Sequence, residues 1–331
     1  FRWQDQFNLG LDPDTAQVGY GPGMADCAIF NGVLLSMLVD RHAATQDPAL
    51  AATARDVFEG LRGCATVHGV PGFVARGICA EDGRGVCLTS SRDQVTHFVH
   101  GLWRYARSPL CSDTTRDEIR GLMRAVADRM LRNVTPENDY DFLRADGTRD
   151  PRGICRMWEV RPHEAARLPM VYAAAWALSR NDTYHAAYRR YLAPAVEHSL
   201  AVAAMPPAEV SRWMPCYTLL QMQSSLELLH ELERDAALKN KLAEAMRVIA
   251  AMAEKRAAGL NGFDDAESIC ASGETALAQL MTPGFAYAPH QRALLMTMIT
   301  GEAHRSPGAA RIIHVTAAYW RARRLGVLTP P

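Results

Sequence analysis

The sequence predicts an all-α protein: a ring or barrel of stacked helical hairpins, an (α/α)n toroid, with long loops over one end. Three observations predict it. Apolar residues recur at helical spacing through most of the chain, while strand-like alternation is scarce. Connections alternate between short and long. Successive hairpins start about 50 residues apart or somewhat more, the spacing expected when helix pairs stack to bury what none buries alone. An open solenoid satisfies the same spacing. The ring is preferred because the first helices of the later pairs (91–107, 162–179, 214–232) are rich in apolar, aromatic and small residues, whereas 236–257 carries Lys and Glu on a solvated face.

Taken in order, helices are expected over 24–42 and 49–66, joined by the stop-and-start signal Gln46-Asp47-Pro48. A long loop over 67–90 follows. The next pair, 91–107 and 113–133, opens on Ser90-x-x-Asp93, read as a capping box, and on the cap Ser112-Asp113. The loop over 134–161 contains Tyr140-Asp141-Phe142-Leu143-Arg144-Ala145-Asp146-Gly147, read as a small β-hairpin. Pro162 suits the first turn of a helix over 162–179, and Asn181-Asp182 introduces 183–203. A third loop over 204–213 leads to 214–232 and 236–257, and helices over 270–281, 288–303 and 308–324 complete the series. In the ring, the long loops cap a cleft at the N-termini of the inner helices.

Composition bounds the partners. With 331 residues and nothing resembling a linker, one domain over 1–331 is expected, and 48% hydrophobic against 22% charged residues supplies a sizeable core. Lys plus Arg and Asp plus Glu both number 36. A net charge of zero leaves no global field for nucleic acid, no basic-aromatic module is present, and no apolar run is long enough to cross a bilayer. Recognition of an acid must therefore be local, and the few lysines leave it to arginine, whose planar fork holds a carboxylate bidentately. The eight cysteines form no C-x-x-C pair, although Cys79 and Cys87 flank the turn Glu81-Asp82-Gly83-Arg84-Gly85 and could be bridged in an oxidising compartment. The Gly clusters lack nucleotide-binding spacing, so no cofactor is expected. The start at Phe1, with neither Met nor a signal-peptide core, is read as a processed or trimmed end.

Two helix starts concentrate the chemistry, and they read almost as one sentence repeated: Ser90-Ser91-Arg92-Asp93-Gln94 running on to His97 and His100, and Trp158-Glu159-Val160-Arg161-Pro162-His163. Helix starts present unpaired N–H groups and favour negative charge. In the first, Asp93, His97, His100 and Arg104 share one stripe opposite Val95, Phe98, Val99 and Leu102. That stripe is either a solvated outer face or part of a site to which Pro71-Gly72-Phe73-Val74-Ala75-Arg76-Gly77 brings Arg76. The spacing Asp93-x-x-x-His97-x-x-His100 suits a metal, but no further ligand announces itself, so no metal is expected. In the second, Arg156, Glu159, Arg161 and His163 surround the helix start, with Trp158 as a platform for a sugar ring; Glu159 and Arg161 could equally pair with each other. A third start, Arg212-Trp213-Met214-Pro215-Cys216-Tyr217, repeats Arg, aromatic, Pro and a titratable group, with Tyr217 either functional or core.

The runs His163-Glu164-Ala165-Ala166-Arg167-Leu168-Pro169-Met170-Val171-Tyr172-Ala173-Ala174-Ala175-Trp176, Pro71–Gly77 and Ser90–Gln94 resemble bacterial carbohydrate-active proteins of the six-hairpin (α/α)-toroid type. Within that group the chain is similar to all-helical polysaccharide lyases that cleave glucuronan or alginate. The resemblance covers residues 20–325 in architecture and about 70–220 in motif. It implies β-elimination on a uronic-acid-containing polysaccharide, which requires a neutralised substrate carboxylate, a base for the C5 proton and an acid for the leaving oxygen. Arg212, Glu159 and His100 or His97 would form the neutralising cluster, Tyr217 the acid, and His163 or the same Tyr the base. Arg76, Arg92, Asp93, Gln94, Arg156, Trp158 and Arg161 would bind substrate. A polymeric substrate in turn implies a periplasmic or secreted location. Two other readings stay open. One is a toroid glycoside hydrolase acting through Asp93 and Glu159, with Asp139, Asp141 and Asp146 as further carboxylates. The other is a non-catalytic carbohydrate-binding helical scaffold.

Overall fold

The computed structural model describes residues 2–4, 26–79, 83, 85–258, 266–284 and 309–328, and it is mostly helical with almost no strand. In chain order it contains β1 (Arg2–Gln4), α1 (Cys27–Thr45), α2 (Leu50–Thr66), β2 (Gly85–Cys87), α3 (Arg92–Ala106), α4 (Asp113–Asn133), α5 (Arg167–Ser179), α6 (Asp182–Leu200), α7 (Pro207–Trp213), α8 (Cys216–Leu232), α9 (Ala236–Ala258), α10 (Ala266–Leu280) and α11 (Ala309–Arg324). Single 3-10 turns lie at Pro136–Asn138, Pro162–Glu164 and Ala201–Ala204. The strands pair in parallel, with Trp3 opposite Val86. No helix among the described residues is long and apolar enough to cross a membrane. The chain divides into two compact units: residues 1–35, 51–160 and 171–188, and residues 36–50, 161–170 and 189–331.

The first unit is organised around α3, every residue of which is buried from Gln94 to Ala106. A helix buried on all sides needs a close neighbour, and glycine provides it. A Cβ on Gly32 of α1 would lie 2.2 Å from the backbone oxygen of His97, and one on Gly101 would lie 2.5 Å from the oxygen of Gly32, so α1 and α3 touch backbone to backbone. From the other side α2 brings Phe58 to within 6.2 Å of Tyr105, and Arg55 of α2 donates to Thr115 and Glu118 of α4.

The two long loops of this unit are joined at the start of α3. Ser90 donates to the carbonyl of Val74 at 2.5 Å, Thr89 to Asp150 at 2.5 Å, and the Arg92 amide to the carbonyl of Ile154 at 2.9 Å. Beneath them the buried Arg129 of α4 donates to the carbonyls of Phe142, Leu143 and Arg144 at 2.8–3.1 Å, replacing the water its guanidinium loses. Gly72 supplies the tight passage over α4: its φ is +74°, and a Cβ there would lie 2.1 Å from the carbonyl oxygen of Ala125.

In the second unit α8 plays the corresponding part, buried without interruption from Thr218 to Leu229. Helix α10 packs on α11, α9 and α8, and α9 packs on α8. The Gln223 amide nitrogen ties three of them together, reaching the carbonyls of Met246 and Ala278 and the Thr282 hydroxyl at 2.8–3.0 Å. A charge network closes the unit: the buried Arg321 meets Glu227 and Asp40, and the exposed Arg324 holds Asp40 at 2.8 Å. The asymmetry expected between hairpin partners is present, with α3 and α8 wholly buried over their middle turns while α4 and α9 keep an exposed face.

Two open readings are decided, the stripe and the cysteine pair, and four expectations are corrected. The stripe on α3 is no solvated face, since His97 and His100 are each 2% exposed and Arg104 is buried, and the cap is Ser91, which accepts from the Gln94 amide, rather than Ser90. The segment 140–147 forms no hairpin: Asp139, Tyr140 and Leu143 all have positive φ, which bends the chain repeatedly, and a single bridge joins Asp141 to Arg156. The helix expected over 162–179 is a 3-10 turn followed by α5, and the expected loop over 204–213 contains α7, where Pro207 starts a helix rather than interrupting one. All eight cysteines are free thiols, so Cys79 and Cys87 are unbridged. The helix expected over 288–303 lies outside the described residues.

Candidate functional site

Within the second unit, the chain entering α5 and the chain entering α8 meet. The 3-10 turn Pro162–Glu164 packs on α8, and Arg167 just beyond it donates to Gln221 of α8 at 2.8 Å. This docking places two arginines on one indole: the guanidinium of Arg161 lies 3.7 Å from the Trp213 ring centroid, and that of Arg212 lies 4.6 Å from it. Both arginines are exposed, and no carboxylate among the described residues forms an ion pair with either side chain. Two cations thus share one aromatic platform.

Beside the platform, α8 begins at Cys216 after Pro215, with no side-chain cap, and the Thr218 amide donates back to the Pro215 carbonyl at 3.0 Å. Tyr217 in that first turn is 46% exposed, unusual for so large an apolar ring. A cleft of about 800 Å³ opens next to this segment, lined by Val202, Met205, Val210, Cys216, Met252 and Lys255. His163 lies inward. It is buried, and its Nε2 is 4.0 Å from Glu164, whose carboxylate also accepts from the Arg161 amide.

The remaining sequence-stated residues sit in the first unit, where most of them build the loops. Arg76 pairs with Asp26 at 3.1 Å, and Gln94 donates to the same carboxylate at 2.8 Å. Arg92 donates to the carbonyls of Gly153 and Arg156, and Arg156 is paired with Asp139. These contacts explain the Arg-rich loop sequences without a ligand. Asp93 and Trp158 are half-buried, and Glu159 is exposed with φ +52°. A non-glycine residue held in that region is strained, and such residues cluster at functional sites. Asp141 is buried and caps its own turn through the Leu143 amide, while Asp146 caps Thr148.

A second cluster was invisible to the sequence reading, which expected no metal ligands. Cys270 and Glu274, one turn apart on α10, meet His314 of α11. Burial holds the Glu274 carboxyl up at about 7 and the His314 imidazole down at about 4. Burial first and the Glu274 charge second push the Cys216 thiol up to about 11. The Cys-x-x-x-Glu spacing was the only signal in the chain. The histidine, 40 residues further on, gave none.

No family model matches this chain, and no curated protein matches its sequence.

Proposed function

We propose that the chain is an (α/α)-toroid enzyme that cleaves a uronic-acid-containing polysaccharide by β-elimination. The observation that carries this reading is the pair of exposed, acid-free arginines, Arg161 and Arg212, on the face of Trp213, four positions before the exposed Tyr217. An aromatic face suits a sugar ring and a guanidinium suits a carboxylate. In this reading the two guanidiniums neutralise the C5 carboxylate, which acidifies the C5 proton. Tyr217 then serves both proton transfers. As the phenolate it removes the C5 proton. The resulting phenol returns a proton to the leaving oxygen. His163, buried behind the platform, becomes a positioning residue for the chain that carries Arg161.

The burial of α3 and α8 against the amphipathic α4 and α9 supports the assignment of inner and outer helices that a toroid needs. Hydrolysis is the second reading, favoured by the exposed, strained Glu159 with Asp93 as its partner. The test is ultraviolet absorbance during incubation with glucuronan, alginate, pectic and glycosaminoglycan substrates, because elimination creates a conjugated unsaturated uronate. Absorbance should rise with the native chain and stay flat with the Tyr217→Phe variant, whose fold is checked by circular dichroism. Reducing ends accumulating without absorbance would replace elimination by hydrolysis, and a fully active Y217F would remove Tyr217 from the chemistry.

A further inference from the structure

We propose that Cys270, Glu274 and His314 form a binding site for a divalent transition metal of the zinc class, with three protein ligands and an open fourth position. The cluster is built from two helices held at backbone contact. A Cβ on Gly273 would lie 2.5 Å from the Val315 amide nitrogen and 2.9 Å from the His314 Cβ, so α10 and α11 meet at the residue preceding Glu274. Ligands projected from such a crossing are fixed relative to one another, as a metal site requires.

The distances carry the argument. Cys270 Sγ lies 3.5 Å from His314 Nδ1 and 3.5 Å from Glu274 Oε1, and His314 Nδ1 lies 3.7 Å from Glu274 Oε1. A tetrahedral zinc with bonds of about 2.3 Å to sulfur and about 2.0–2.2 Å to nitrogen and oxygen separates its ligand atoms by roughly 3.5 Å for each sulfur edge and roughly 3.4 Å for the nitrogen–oxygen edge. The three atoms thus already outline one face of that tetrahedron. A thiol–imidazole–carboxylate relay would look different. There the carboxylate addresses the ring nitrogen remote from the thiol, whereas here Cys270 and Glu274 both address Nδ1.

The chemistry of the donors agrees. Glu274 is buried, and no Lys or Arg among the described residues pairs with it, so a dication would supply the missing positive charge. Thiolate, imidazole and carboxylate together select zinc or cobalt over magnesium or calcium. On binding, the Cys270 S–H bond is broken, its sulfur pair bonds the metal and the proton passes to solvent, a proton on the Glu274 carboxyl leaves likewise as its oxygen takes the metal, and His314 donates its lone pair without releasing a proton. This inference is independent of the lyase reading.

Cobalt(II) is the probe, added to the chelator-stripped full chain. The expected result is one equivalent bound with a thiolate-to-cobalt charge-transfer band and intense visible bands of tetrahedral geometry, bleached by zinc. The band should vanish in the Cys270→Ser variant while its circular dichroism stays native, and Glu274→Gln should weaken binding at least tenfold. In the native chain alone, zinc should raise the melting temperature. Absence of the band in the native chain, its persistence in C270S, or unchanged affinity in E274Q would overturn the site. If E274Q does not fold, His314→Gln provides the same comparison.

Discussion

Replacing Gly32 by Ala tests the packing logic of the first unit at its tightest point. The added methyl would lie 2.2 Å from the His97 carbonyl oxygen and 2.6 Å from its carbon, both backbone atoms that no rotamer change can move aside. Ordinary contact demands roughly 1 Å more, so α1 and α3 must separate, at a cost of about 3 kcal/mol by analogy with overpacked cores. Against this stands the gain of about 1 kcal/mol for removing a glycine from a helix interior. The expected net loss is about 2 kcal/mol. Gly60 of α2 isolates the propensity term, because a Cβ there meets nothing within 4 Å. Gly60→Ala should stabilise by up to about 1 kcal/mol, leaving the two variants roughly 3 kcal/mol apart. Equilibrium denaturation in urea, followed by circular dichroism at matched slopes, measures the difference. A G32A variant as stable as the native chain, or less destabilised than G60A, would refute the backbone contact between α1 and α3.

Other expectations follow from the same geometry. Arg161→Ala and Arg212→Ala should each raise the KM for an oligouronate, by about tenfold for loss of a charge-assisted bond, yet leave the melting temperature nearly unchanged because both side chains are exposed. Asp40→Ala removes the buried carboxylate shared by Arg321 and the exposed Arg324, leaves Arg321 paired with Glu227, and should destabilise by about 1.5–3 kcal/mol in denaturant titration. In the metal-free chain, Glu274 and His314 impose opposite pH dependences. The raised Glu274 contributes stability below about 4.5 that is lost as pH rises through about 7, and the lowered His314 contributes stability above 6.5 that is lost as pH falls through about 4. Between 4.5 and 6.5 folded and unfolded forms bind the same number of protons through this pair, so its contribution is flat there and falls on either side. In E274Q only the histidine limb should remain, making the pair's contribution rise continuously from about pH 4 to 6.5 in denaturation curves.

Where a local signal decided an element, the sequence reading was close. Ser112 as N-cap gave 113–133 for α4, and Asp47-Pro48 separated α1 from α2. It failed where burial or backbone conformation overrode the pattern. A stripe of Asp93, His97, His100 and Arg104 signals amphipathicity only if one face is wet, and α3 is buried all round, so period alone could not say which side was polar for which reason. The positive φ values of Asp139, Tyr140 and Leu143 have no composition signature, since none of the three is glycine. At the candidate site the two halves were each legible, as Arg161 before Pro162 and Arg212 before Trp213. Their convergence on one ring across some 50 positions is a tertiary fact that no spacing rule encodes. The same holds for His314, which joins Cys270 and Glu274 only because two glycine-tight helices cross there.

Arg129 and Arg92 hold the loops of the first unit by carbonyl oxygens rather than by side chains. A carbonyl is common to every residue type, so these anchors ask nothing of the side chains at 142, 143, 144 and 153, where burial of Phe142 and the positive φ of Leu143 and Gly153 set the limits instead. What cannot drift is loop length, because one inserted or deleted residue would carry the wrong oxygens past the guanidinium. Relatives of this chain should therefore vary in letters and hold constant in spacing between α4 and the 3-10 turn at Pro162–Glu164, a record that comparisons scored on residue identity would overlook.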